Sequence, residues 1–147
     1  MRINIRVRFL LEVEYLIIRT LNRLKKPPKV GQIASYLDKP HSTIGSCVKR
    51  LQRHGYIEYQ QYGDVKLSLK GKNLAIELER HAKLLEVLLH NALDMTPQEA
   101  HEESKKSNLL LSCSIINKIC EKYEHPKFCP CGEKIKNASN CYCEHVK

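Results

Sequence analysis

Tryptophan is absent from the 147 residues and phenylalanine occurs only twice. Any core must therefore be built from leucine, isoleucine, valine and tyrosine. Long apolar runs are also missing, and none approaches the roughly 20 residues that a membrane span requires. The opening stretch MRINIRVRFLL is basic, but arginines interrupt its apolar residues and no small-residue cleavage site follows, so no secretory signal is expected. The chain contains no Cys-x-x-Cys pair, no Gly-rich phosphate loop and no carboxylate cluster. Thiol oxidoreductases and nucleases are disfavoured on that ground, and an enzyme is not expected. A cytoplasmic protein with no small-molecule substrate and no membrane partner is the expectation.

Acidic residues are scarce in one half only. Residues 1–72 hold 15 Lys/Arg against 5 Asp/Glu, a net of +10, and residues 73–147 hold 10 against 11, a net of −1. The formal charge of +9 thus belongs to the first half. A basic half beside a neutral one suggests a polyanion-binding module joined to a module with another task. Seven cysteines, an odd number in a reducing compartment, point to thiols or metal ligands rather than a disulfide frame.

Ile3, Ile5, Val7 and Phe9 alternate with Asn4, Arg6 and Arg8, the period of a short strand or extended arm. Leu10 to Lys25 reads as a helix ended by KKPPK, where proline removes the backbone donor. Val30 to Leu37 reads as a short helix and DKPH as a turn. A second helix opens at His41 or Ser42 and runs to about His54, where Gly55 stops it. Two short helices around a tight turn form a helix-turn-helix pattern. In the second helix Ile44, Cys47, Val48 and Leu51 face inward, leaving Ser42, Thr43, Gly45, Ser46, Lys49, Arg50 and Arg53 open. YIEYQQYGDVKLS alternates on either side of a YGD turn, as a hairpin does. A hairpin straight after a helix-turn-helix predicts a winged helix. Residues 69 to 93 then form a long helix, Asp94 or Thr96 caps the next with Pro97 at its first position, and SNLLLSCSIINKICEKY closes the helical part. Its Leu109, Cys113, Ile116, Cys120 and Tyr123 step by four and three, a seam suited to a partner helix; Cys113 and Cys120 read as core residues.

Three stretches, IASYLDKPHSTIGSCVKRLQRHGYIEYQQYGDVKLSLKGKNLA, LLEVLLHNALDMTPQEAHEE and HPKFCPCGEKI, together give a likeness over about residues 10–135. By them the chain resembles the diphtheria toxin repressor and manganese transport regulator family of iron- and manganese-dependent repressors. The resemblance implies a mostly α fold with a small β-hairpin wing: a winged helix over residues 1–72, a helical dimerisation domain over 73–128 and, here, a cysteine-rich tail over 129–147. The chain is too short for the SH3-like domain some members add. The family's main metal site maps onto Glu14, Ile17, Ala82, Lys105, Asn108 and Leu109. Only Glu14 among these can ligate, since lysine, leucine and alanine offer a cation nothing, so no iron or manganese is expected there. Glu86 and His101 match two ligands of the family's secondary site and are a tentative second metal pair; a surface ion pair or a cap is the alternative.

Double-stranded DNA is the expected partner, together with a second copy of the chain. Lys39, Lys49, Arg53 and Lys66 would meet phosphates, while Ser42, Thr43, Ser46 and Arg50 offer donors to base edges. Gly45 serves either close approach to a groove or packing against a neighbouring helix. Arg2, Arg6 and Arg8 make the arm a further DNA contact or an added strand. At the other end, CPCGEKIKNASNCYC carries Cys129, Cys131, Cys141 and Cys143, a donor set for zinc or another thiophilic ion. Pro130 stiffens the first pair and Gly132 frees the backbone after it. Such a site is either a structural clip or a sensor of metal or redox state. The reading is a homodimeric sequence-specific transcriptional regulator, a repressor by its resemblance to the family, while the residues themselves do not separate repression from activation; an architectural chromatin protein of low sequence specificity is the alternative.

Overall fold

The structure, a computed structural model, describes residues 12–107 and 111–137. Among them are six helices and one two-stranded antiparallel sheet. The chain divides into two units, residues 10–75 and residues from 76 onward. The N-terminal arm with Arg2, Arg6 and Arg8, and the second cysteine pair Cys141 and Cys143, lie outside the described residues.

In the first unit α1 (Glu12–Arg23) carries Glu12 and Glu14 in its first turn and Arg23 in its last, charges that oppose the helix dipole at each end. α2 (Val30–Leu37) starts where Gln32 Oε1 accepts the Lys29 N–H at 2.8 Å. It stops at Asp38, whose φ of 51° closes the helix in the left-handed region. Proline at position 40 then starts α3 (His41–Arg53). The expected inward set is buried: Ile44, Cys47, Val48 and Leu51 lie under α3, with Ile17, Ile18 and Ile33 against them. β1 (Ile57–Glu58) pairs with β2 (Lys66–Leu67), Ile57 opposite Leu67 and Glu58 opposite Lys66. A bridge between Lys29 and Asp64 ties the base of the hairpin to the start of α2.

α4 (Leu69–Leu93) begins with a close backbone approach. A Cβ on Gly71 would lie 2.0 Å from the Tyr56 carbonyl oxygen, so only glycine fits there. Ser68 N–H donates to the same carbonyl at 3.1 Å, and Lys70 Nζ donates to the His54 carbonyl at 2.7 Å. These bonds fix the end of α3 against the return strand.

In the second unit α4 ends at a left-handed Asp94 with φ 53°. Thr96 and Glu99 then form a reciprocal cap on α5 (Pro97–Ser107): Thr96 N–H donates to Glu99 Oε2 at 2.8 Å and Glu99 N–H to Thr96 Oγ1 at 3.2 Å. The closing stretch ends in α6, which spans Cys113–Lys122 with Ser112 as its cap, its side chain accepting the Ile115 N–H. Its apolar side is already occupied: Ile116, Ile119 and Cys120 pack with Leu84, Val87, Cys129 and Ile135. The seam is therefore internal to the unit rather than open to a partner, and Leu109 lies outside the described residues. Cys120 is buried as expected, whereas Cys113 is half-buried and held by polar side chains. Beyond α6 the chain turns back on itself: Phe128 bridges Lys134, Ile135 N–H reaches the Lys127 carbonyl at 2.9 Å, and Gly132 takes φ 87° at the tip. No helix among the described residues is long and apolar enough to cross a membrane.

Candidate functional site

The open face of α3 presents Ser42, Ser46, Lys49 and Arg53 to solvent, with Thr43 and Arg50 half-buried. Lys29 and Tyr36, then Ser42, Gly45 and Lys49, and finally Tyr62 on the hairpin turn line one cleft. Ser46 lines it too, while Thr43, Lys39, Arg50, Arg53 and Lys66 are not among its lining residues. A Cβ on Gly45 would meet nothing within 4 Å, so no neighbouring helix requires glycine there. Tyr62, with 85% of its surface exposed at the tip of the turn, and Tyr36, with 70%, escaped the sequence reading. An aromatic inside an otherwise polar turn was the available signal.

Arg50 has a second engagement. Its Nε lies 3.2 Å from Glu14 Oε1, and the Glu14 side chain is almost wholly buried. Of the residues at the family's main metal positions, Glu14 is thus paired with an internal guanidinium, and Ile17 and Ala82 are in the core. Asn108 and Leu109 lie outside the described residues.

Two groups of side chains that could hold a metal ion occur among the described residues of the second unit. The first joins residues that the sequence had offered as separate sets. Glu86 from α4 and Cys129 and Cys131 from the turn after α6 have ligand atoms within 4.8 Å of one another. His101 from α5 sits at the same carboxylate, with Nδ1 2.7 Å from Glu86 Oε1. Glu86 Oε2 is buried and has no hydrogen-bond partner among the described residues. The turn is built for this: Gly132 N–H bonds the Cys129 carbonyl at 2.8 Å, Cys129 N–H bonds the Glu133 carbonyl at 2.9 Å, and Lys83 Nζ lies 3.4 Å from Glu133. Burial, with the Glu86 carboxylate and neighbouring groups, pushes the Cys131 thiol up to about 11. Burial likewise raises Cys129. Both thiols are thus held protonated beside a buried carboxylate, and a cation among them would reverse that preference.

The second cluster is Glu77, His81 and Cys113. Glu77 and His81 are four apart on α4 and so share a face; that spacing was legible, but Cys113 had been read as core. Burial first, then Arg80, lowers the His81 imidazole to about 4.

Comparison with known proteins fits this geometry to a class. Residues 68–137 match the family model described as iron dependent repressor, metal binding and dimerisation domain. An HTH-type transcriptional regulator of Methanocaldococcus jannaschii is 30% identical over 109 residues, covering 74% of this chain and 85% of that protein. The iron-dependent repressor IdeR of Mycobacterium tuberculosis is 26% identical over 129 residues, covering 86% of this chain and 56% of that protein. Among solved structures, the hypothetical protein SSo2273 of Sulfolobus solfataricus superposes with a TM-score of 0.73 at 28% identity, over 86% of this chain and 97% of that one. The first two of these relatives are named as a transcriptional regulator and a repressor. The chain belongs to the iron-dependent repressor family that includes the diphtheria toxin repressor. It spans just over half the length of the curated iron-dependent repressors it matches.

Proposed function

We propose that this protein is a homodimeric, sequence-specific DNA-binding repressor of transcription. Residues 1–72 act as a winged helix-turn-helix, residues 73–128 as the dimerisation domain, and Glu86, Cys129 and Cys131 hold a thiophilic divalent ion, zinc by preference. One observation carries the DNA reading: α3 lays Ser42, Gly45, Ser46 and Lys49 along a cleft bordered by the hairpin. That is a helix surface with cations, short donors and room for close approach to base edges. Lys39, Arg53 and Lys66 are exposed elsewhere on the same unit and serve phosphates along the flanks. Arg50 supports the helix from within through Glu14 before it reads any base.

The dimer reading rests on the matched domain's description, not on the α6 seam, which is consumed internally. Exposed Leu93, Ile115 and Phe128 in the second unit are apolar surface available to a second copy.

The metal reading rests on fit. Two sulfurs, a buried carboxylate oxygen without a hydrogen bond and a nearby imidazole suit a borderline-soft ion better than manganese. A bound cation would supply the positive charge that lets both thiols ionise. Glu86 and Cys129 hold it from the buried side, and Cys131 reaches it from the exposed rim of the turn. His101 is either a fourth ligand or a partner that orients Glu86. Cys141 and Cys143 remain possible further ligands by sequence alone. Iron or manganese at the main family positions is not part of this account.

Selection of binding sites from random duplexes, followed by footprinting, tests the function. A recurring inverted repeat with half-sites about one helical turn or a multiple apart is the expected outcome. Recovery of no common sequence would overturn it.

A further inference from the structure

We propose that Glu77, His81 and Cys113 form a second, separate metal site that takes one zinc ion. It shares no ligand with Glu86, Cys129 and Cys131, and does not depend on the DNA-binding reading. Glu77 and His81 present one carboxylate and one imidazole from adjacent turns of α4, 6% and 1% exposed. Cys113, the first residue of α6, brings its sulfur between them. Sγ lies 2.8 Å from Glu77 Oε1 and 3.4 Å from His81 Nε2, and Nε2 lies 4.0 Å from Oε1.

A tetrahedral zinc with sulfur at about 2.3 Å and nitrogen and oxygen at about 2.0 Å needs ligand atoms roughly 3.3–3.6 Å apart. One observed edge falls in that range and the other two lie on either side. Rotation of the Cys113 and Glu77 side chains would bring all three into it. Thiolate, imidazole and carboxylate together are a borderline donor set, suited to zinc rather than to magnesium or calcium.

The protein alone compensates the His81 imidazole poorly. His81 Nδ1 is buried with no hydrogen bond among the described residues, and Nε2 faces a sulfur. A buried imidazole with so little hydrogen bonding costs free energy. A cation on Nε2 takes up the lone pair that now faces the Cys113 sulfur and replaces the proton that the Cys113 thiol shares with Glu77. Cys113 is half-buried rather than sealed, so the ion has a way in, and a water can complete the fourth position.

The test uses the full chain with Cys129, Cys131, Cys141 and Cys143 all changed to serine, titrated with cobalt(II) as the zinc probe. One equivalent of cobalt should bind with a sulfur-to-cobalt charge-transfer absorption. Adding Cys113→Ser should abolish that band, and adding His81→Gln should weaken binding by about 100-fold. No charge-transfer band, or a band that survives Cys113→Ser, overturns the proposal. Circular dichroism checks that each variant is folded. Should the serine variant not fold, the unaltered protein decides. Saturating zinc should slow alkylation of Cys113 at least about tenfold, read by peptide mass, and an unchanged rate overturns the site.

Discussion

His101 Nδ1 lies 2.7 Å from Glu86 Oε1, the other oxygen of that buried carboxylate is without a hydrogen bond among the described residues, and Glu86 has a carboxylate oxygen within 4.8 Å of the Cys129 and Cys131 sulfurs. The pair is buried more deeply than a surface ion pair, and we read it as one side of a ligand set. Metal analysis of protein purified without added metal should give a transition metal at one of the two clusters or both, and Cys129→Ser with Cys131→Ser should remove the Glu86 share. His101→Ala should weaken that site about 10- to 100-fold. Full occupancy in the double serine variant, with cobalt spectra unchanged, would place the metal elsewhere.

Acid should release that ion steeply. Both thiols are raised in the metal-free protein, so binding displaces two protons. Apparent affinity should then fall by about 100-fold for each unit that pH drops below neutrality. Competition with a chromogenic chelator across pH measures the slope. A slope near zero would mean that these thiols are not ligands.

Arg50 reaches down to Glu14. Arg50→Ala should destabilise the first unit by about 2 kcal/mol, because it leaves a buried carboxylate short of a cation. Adding Glu14→Gln should recover part of that loss. Lys49→Ala, on the exposed face, should leave the melting temperature alone. It should weaken binding to all duplexes and make the salt slope shallower by about one. Equal thermal effects in the two variants would contradict the distinction.

Gly45→Ala separates stability from recognition. Its Cβ would point into open space, so the helix should gain about 1 kcal/mol. If the α3 face lies close to DNA, affinity should nonetheless fall, by about tenfold or more for a loss of about 1.4 kcal/mol. A more stable protein with unchanged affinity would move the groove contact away from position 45.

In the metal-free protein His81 should make the second unit acid-sensitive. Its imidazole is lowered from 6.5 to about 4, so between those values the unfolded chain binds more protons than the folded one. Stability from this group is complete above about pH 6.5 and is lost as pH falls toward 4, by about 3 kcal/mol in all. Urea unfolding at neutral pH and at pH 4.5 should show a smaller pH dependence for His81→Gln than for the unaltered chain. Identical pH dependence would mean that the imidazole is not buried as described.

Most of the helical plan was legible because its signals are local. Asp38, Pro40, Gly55 and the Thr96–Glu99 cap mark ends that depend on their own few residues, and the inward positions of α3 follow from a period of 3.6. The α6 stripe was misjudged as a seam for a partner helix because Leu84, Val87, Cys129 and Ile135, which cover it, come from other segments of the chain. The ligand clusters were half legible. Glu86 with His101 stood out by resemblance to the family's secondary site and Cys129 with Cys131 by spacing, but their meeting is tertiary. Cys113 looked apolar in a helical stripe, and nothing local announces that Glu77 and His81 face it. Arg50 read as a base contact because the carboxylate beneath it comes from another helix.

The most direct test is the ratio of affinities for a selected inverted-repeat duplex and for random duplex at one fixed salt concentration, measured with and without bound metal. A sequence-specific repressor should show a ratio of about 10³ or more, lost together with affinity in Gly45→Ala but kept at lower affinity in Lys49→Ala when the α3 cleft is the reading surface. A fall in that ratio on metal removal would make the Glu86, Cys129 and Cys131 site a sensor, and no fall would make it a structural clip. A ratio near one, with strong salt-dependent binding to every duplex, would contradict the account and leave an architectural DNA-coating protein in its place.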